Sequence, residues 1–165
     1  MRRHPVLWAL WLCLSMACGL EPPSGDVVPP SVWQVSPSGD GVDPGCCVRV
    51  TFSEPVHPNV LAQQLVILAP GAAVDEAFLA DFDRPPLSAR RQGEIVACEM
   101  RFDLDGSQIA LQPELSLDPN RLYAVVVSAA VCDLVGNPLV EEILDDERGR
   151  AVGEKCHVLH WFTTR

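Results

Sequence analysis

Between Gly45 and Val56 the chain alternates, with Val48, Val50 and Phe52 apolar and Arg49 and Thr51 polar. A period of two, carried by β-branched and aromatic side chains, predicts a strand with one buried face and excludes a helix. Asp43-Pro44-Gly45 ahead of it is turn chemistry, and Pro55 behind it has no N–H to give to a ladder. Around this strand, at 46–53, the same pattern predicts others at 31–36, 64–69, 94–102, 108–112, 122–128 and 157–164. In the first, Trp33 and Val35 are expected to share a face. In the fourth, Val96, Cys98, Met100 and Phe102 point one way and Ala97, Glu99 and Arg101 the other. Asp105-Gly106 marks a hairpin tip between the fourth and fifth.

Two stretches break the pattern. Within Asp75 to Gly93, the segment Ala77–Phe82 reads as one helical turn or an irregular loop, because Pro85-Pro86 must stop any helix. This stretch is expected to be an insertion at a sheet edge. Glu141 to Arg150 is a charged excursion before the last strand. About seven short strands with turn signals between them predict an all-β fold, an antiparallel β-sandwich. The 15 prolines and 11 glycines agree with many short turns, and 48% hydrophobic against 21% charged residues is too apolar for a disordered chain.

Taken in order, Val32-Trp33-Gln34-Val35-Ser36-Pro37, the strand ending Phe52-Ser53-Glu54-Pro55-Val56, Leu122-Tyr123-Ala124-Val125, Asp133-Leu134-Val135-Gly136-Asn137-Pro138-Leu139 and Phe162-Thr163-Thr164 resemble one known family. It is the bacterial immunoglobulin-like domain of S-layer (SbsA-type) and other surface proteins, over roughly residues 28 to 164. The resemblance implies a sandwich that spaces, displays or adheres, usually without an active site. Tyr123 stands where such sandwiches pin a corner through a tyrosine hydroxyl.

The N-terminus reads as an export signal over 1–17: Arg2 and Arg3, an apolar run from Val6 to Leu14, then Ser15-Met16-Ala17. The run is too short to span a bilayer. Cys18 followed by Gly19 resembles a bacterial lipobox, with Ser15 where leucine is usual, and the resemblance implies lipid on the Cys18 thiol. Acyl chains buried at about 0.8 kcal/mol per CH₂ would hold the protein on a membrane. Residues 18–30, rich in Pro, Gly and Ser, then read as a tether, and 31–165 as the sandwich domain. The expected location is the cell envelope at the outer membrane, with that membrane as partner and any protein or glycan ligand unspecified. A net charge of −10, more negative still without Arg2 and Arg3, argues against nucleic acid.

Export makes disulfides the first reading of the remaining cysteines. Alternation puts Cys46 on the face of Val48 and Cys98 on that of Met100, which allows a buried bridge between sheets, while Cys132 and Cys156 flank the acidic excursion. Cys47 is then the spare. A competing reading is a copper or zinc module on Cys156, His157 and His160, although residues three apart on a strand face opposite ways. Copper-resistance sandwiches share the Phe-Ser-Glu-Pro-Val strand end, but this chain lacks their N-terminal histidine and late Asp-Gly-His element. Asp103, Asp105 and Gly106, or Asp145-Asp146-Glu147, offer hard oxygens without the spacing of a calcium loop. With no nucleophile elbow, zinc-protease motif, phosphate loop or dinucleotide fingerprint, the sequence implies no cofactor and no enzyme.

Overall fold

A computed structural model describes residues 25, 27–61, 63–84, 89–140, 149–152 and 157–165. The export signal, Cys18, most of the tether, the acidic run 141–148 and Cys156 lie outside the described residues. The elements in chain order are β1 (Val32–Ser36), β2 (Gly39–Val42), β3 (Val48–Phe52), α1 (Pro58–Leu61), β4 (Leu65–Leu68) and α2 (Glu76–Phe82). There follow α3 (Ala89–Gln92), β5 (Cys98–Phe102), β6 (Gln108–Pro113), β7 (Leu122–Val127), β8 (Gly149–Val152) and β9 (His157–Thr164).

The strands form two sheets. One runs β1-β3-β6-β5 with every pair antiparallel; the other runs β2-β9-β7-β4, with β8 also on β9. The expected strands are all present. Two more were hidden in glycine-rich or charged sequence: β2, which pairs parallel with the end of β9 and so departs from a purely antiparallel fold, and β8. Ile95 bridges Leu68 and the Val96 N–H bonds the Ile67 carbonyl, so the chain leaves the edge of the second sheet before entering β5 of the first.

Alternation fills the space between the sheets. Val48, Val50 and Phe52 of β3, with Ile109 and Leu111 of β6, face Tyr123, Val125, Val127, Val158 and Phe162 of the second sheet. Each such side chain taken fully out of water contributes roughly 1.5–3 kcal/mol, so this layer holds the sheets together. Trp33 is not part of it. Between Val32 and Gln34 the register of β1 slips against β3, so Trp33 is the extra residue of a bulge, and Val32 and Val35 point inward instead.

Within the 75–93 stretch, the helix α2 does not sit at a sheet edge. It lies over the outer face of the second sheet, where Phe78, Leu79 and Phe82 of α2 pack on Val66, Leu68, Ala124, Val126 and Leu159. This is why β4 and β7 are apolar on both faces: each separates two cores. The helix begins because Asp75 accepts the Phe78 N–H at 2.7 Å, satisfying one of the donors a helix start leaves open.

Candidate functional site

At the C-terminal end of α2, Asp83 turns its carboxylate into the protein. Its Oδ1 accepts the Ser128 hydroxyl at 2.8 Å and lies 2.8 Å from His157 Nε2, which donates because an ionised carboxylate only accepts. The side chains of His157 and Asp83 are only 4% and 7% exposed. Residues 74 and 45 positions apart in sequence thus meet under the helix. Serine, histidine and aspartate are the residue types of a hydrolase, but here the carboxylate stands between the other two. Nucleophilic catalysis needs the histidine on the serine hydroxyl. Ser128 instead donates its hydroxyl hydrogen bond to Asp83 and accepts the Ala130 N–H, and it is fully buried. The arrangement ties helix to sheet.

His160 faces the other way. Its Nε2 lies 3.1 Å from the Pro37 carbonyl, inside the sandwich, and the residue is buried. The two histidines are both buried and on opposite faces of β9, so they do not share a metal. Cys156 lies outside the described residues. Among the described residues no three histidine, cysteine or acidic side chains gather as metal ligands.

The four described cysteines, Cys46, Cys47, Cys98 and Cys132, are unbonded. Cys46 precedes β3 and Cys98 opens β5, strands that flank β6 in one sheet, so the expected bridge between sheets is not what the fold provides. Two strand spacings amount to about 9.5 Å, beyond the ~7 Å between Cα atoms that a disulfide spans. Both pack against the main core as small apolar side chains. Burial pushes up the Cys46 and Cys132 thiols, and takes Cys98 to about 11, with the Glu114 carboxylate and Cys47 adding to the effect. These three stay protonated at neutral pH, the opposite of a reactive or metal-binding thiolate.

The acidic loops are also occupied by backbone. Asp133 is buried and its Oδ1 takes the N–H groups of Val135, Gly136 and Asn137 at 2.8, 2.6 and 2.9 Å, while Oδ2 takes the Asn137 amide. Gly136 has φ 96°, which the tight loop around that carboxylate requires. At the β5–β6 tip, Asp103 accepts from Gly106 and Gln108, and Asp105 from Ser107. A depression of about 420 Å³ beside α2 contains Arg91. That guanidinium is bonded to Glu94 at 2.9 Å and stacks 5.4 Å from the Phe78 ring centre.

Tyr123 is the second residue of β7, and its hydroxyl accepts the Asp118 N–H at 2.8 Å, five residues upstream. That corner bond, with two sheets packed face to face, is the anatomy of an immunoglobulin-like domain. Residues 26–144 match the bacterial Ig-like domain family. The chain belongs to that family. Among solved structures, this bacterial Ig-like domain is similar to S-layer protein SbsC, domains 1–6, with a TM-score of 0.48 and 15% identity over 84% of this chain and 14% of that one. It is also similar to E. coli alpha-2-macroglobulin, with a TM-score of 0.47 and 14% identity over 82% of this chain and 6% of that one. The L,D-transpeptidase from Mycobacterium smegmatis is more distant, with a TM-score of 0.38 and 18% identity over 68% and 39%. The chain therefore spans a small part of each. No curated protein matches it in sequence.

Proposed function

We propose that the protein is an exported lipoprotein of the cell envelope, carried on the outer membrane through Cys18, whose Ig-like sandwich works as a spacer, adhesion or protein-interaction module without catalysis. The observation that carries this reading is the family membership over residues 26–144. Two features support it. The candidate chemical groups are spent inside the fold: Asp83, Ser128 and His157 on one another, Asp133 on its own loop. The outward face of the first sheet carries Arg49, Thr51, Glu99 and Arg101, the polar face of a domain that meets water or a partner.

The tether follows from Cys18 and the Pro-rich stretch ahead of β1. Replacing Cys18→Ser removes the acceptor of the lipid. Wild-type protein is expected in the membrane fraction and the variant in the soluble fraction. A wild-type protein already soluble would remove the anchor from the account.

A further inference from the structure

The strands that end the two sheet orders, β1, β5, β2 and β4, are not alike at their edges. On β1 the bulge at Trp33 breaks the register. On β4 the crossing chain occupies the edge, with Val96 bonded to Ile67 and the Ala69 N–H bonded to the Glu94 carbonyl. On β2 the register shifts and two glycines take positive φ. These are devices that blunt an edge against further pairing. The strand β5 has none of them: it pairs with β6 in five consecutive positions without a bulge and contains no proline.

Its hydrogen-bonding phase is fixed by its neighbours. The Asp103 N–H bonds the Gln108 carbonyl and the Glu114 N–H bonds the Ala97 carbonyl, so the odd-numbered residues turn their backbone groups toward β6. The even-numbered ones turn away, as the Val96 N–H does in reaching Ile67. The open edge therefore presents the N–H and C=O groups of Cys98, Met100 and Phe102, the end of the sheet among the described residues.

We propose that β5 is a pairing edge for a second copy of this chain, joined antiparallel about a two-fold axis through Met100. In that register Met100 exchanges both backbone bonds with the Met100 of the other copy, and Cys98 with Phe102 on each side. All the open backbone groups of the edge are used. The side chains fit the same axis. Glu99 falls opposite Arg101 of the other copy and Arg101 opposite its Glu99, in non-hydrogen-bonded pairs, where side chains approach most closely. The sequence Glu-Met-Arg is thus complementary to itself when run antiparallel. Within one copy Arg101 already bonds Glu99 in a fork at 2.9 and 3.1 Å, with side chains 68% and 59% exposed, so both charges are free to be shared across the axis. On the inner face the ring of Phe102, 41% exposed in a lone copy, gains Cys98 of the other as cover.

Five residues per copy make a small interface, so the association is weak, in the micromolar range or above. Sedimentation velocity of the full chain purified in detergent, over a concentration series, reads it directly. The wild type is expected to pass from monomer to dimer. Glu99→Arg places arginine opposite arginine twice and is expected to weaken the dimer at least about tenfold. The exchanged pair Glu99→Arg with Arg101→Glu restores opposite charges and is expected to return the dissociation constant to within about twofold of wild type. Far-ultraviolet circular dichroism confirms that each variant is folded. A wild type that stays monomeric throughout overturns the proposal. So does a dimer indifferent to Glu99→Arg, or one that the exchange fails to rescue.

Discussion

Cys98 shows how one residue's surroundings set its chemistry. Packed at the end of an edge strand against the main core, its thiol is held protonated up to about 11, first by burial and then by the Glu114 carboxylate and Cys47. At pH 8 the thiolate is about one part in a thousand, so alkylation of the folded, reduced protein by iodoacetamide should be roughly a hundredfold slower at Cys98 than at an unhindered cysteine. Peptide mass spectrometry after timed quenching measures this, and equal rates would contradict the burial. The same shift has a sign in stability. An unfolded thiol ionises near pH 8.5, earlier than the folded one, so stability is intact below about pH 8.5 and falls as pH rises toward about 11. Alternation along 94–102 foretold the inward face of Cys98. It could not foretell a bridge, because period two gives the face of a sheet and not which strand lies beside which.

At the scale of elements, the strands were legible where β-branched runs were bounded by proline and glycine. Gly39–Val42 was not: glycine and aspartate read as turn, and only the edge of β9 makes that stretch a strand. The helix α2 was half legible. Its cap Asp75 and apolar Phe78, Leu79 and Phe82 are in the sequence, but their partners on the outer face of the second sheet come from β4, β7 and β9. The tie through Asp83 was invisible, since Asp83, Ser128 and His157 meet only once the sheet has formed. Replacing Asp83→Ala removes the acceptor shared by Ser128 and His157 and should destabilise the domain by about 3 kcal/mol or more. Ser128→Ala takes away one hydroxyl and should cost less, about 1–2 kcal/mol. Urea denaturation compares them. Two equal, small losses would mean that the buried cluster does not hold α2 to the sheet.

For the whole molecule, the fold class follows from many short strands in one chain, and Asp133, Tyr123 and the filled space between the sheets agree with family membership over residues 26–144. The metal reading failed on geometry, because β9 sends His157 and His160 to opposite faces. What remains, among the described residues, is an interior committed to packing, which agrees with the proposed action through surface and anchor. The proposed anchor at Cys18 is therefore the step on which that proposed function turns. Intact mass spectrometry of the protein extracted from membranes of cells that make it tests that step most directly. A mature chain beginning at Cys18 and carrying the mass of a diacylglycerol, with or without a further acyl chain, is the expected result. A chain that keeps residues 1–17, or one that begins elsewhere without added lipid, would contradict it.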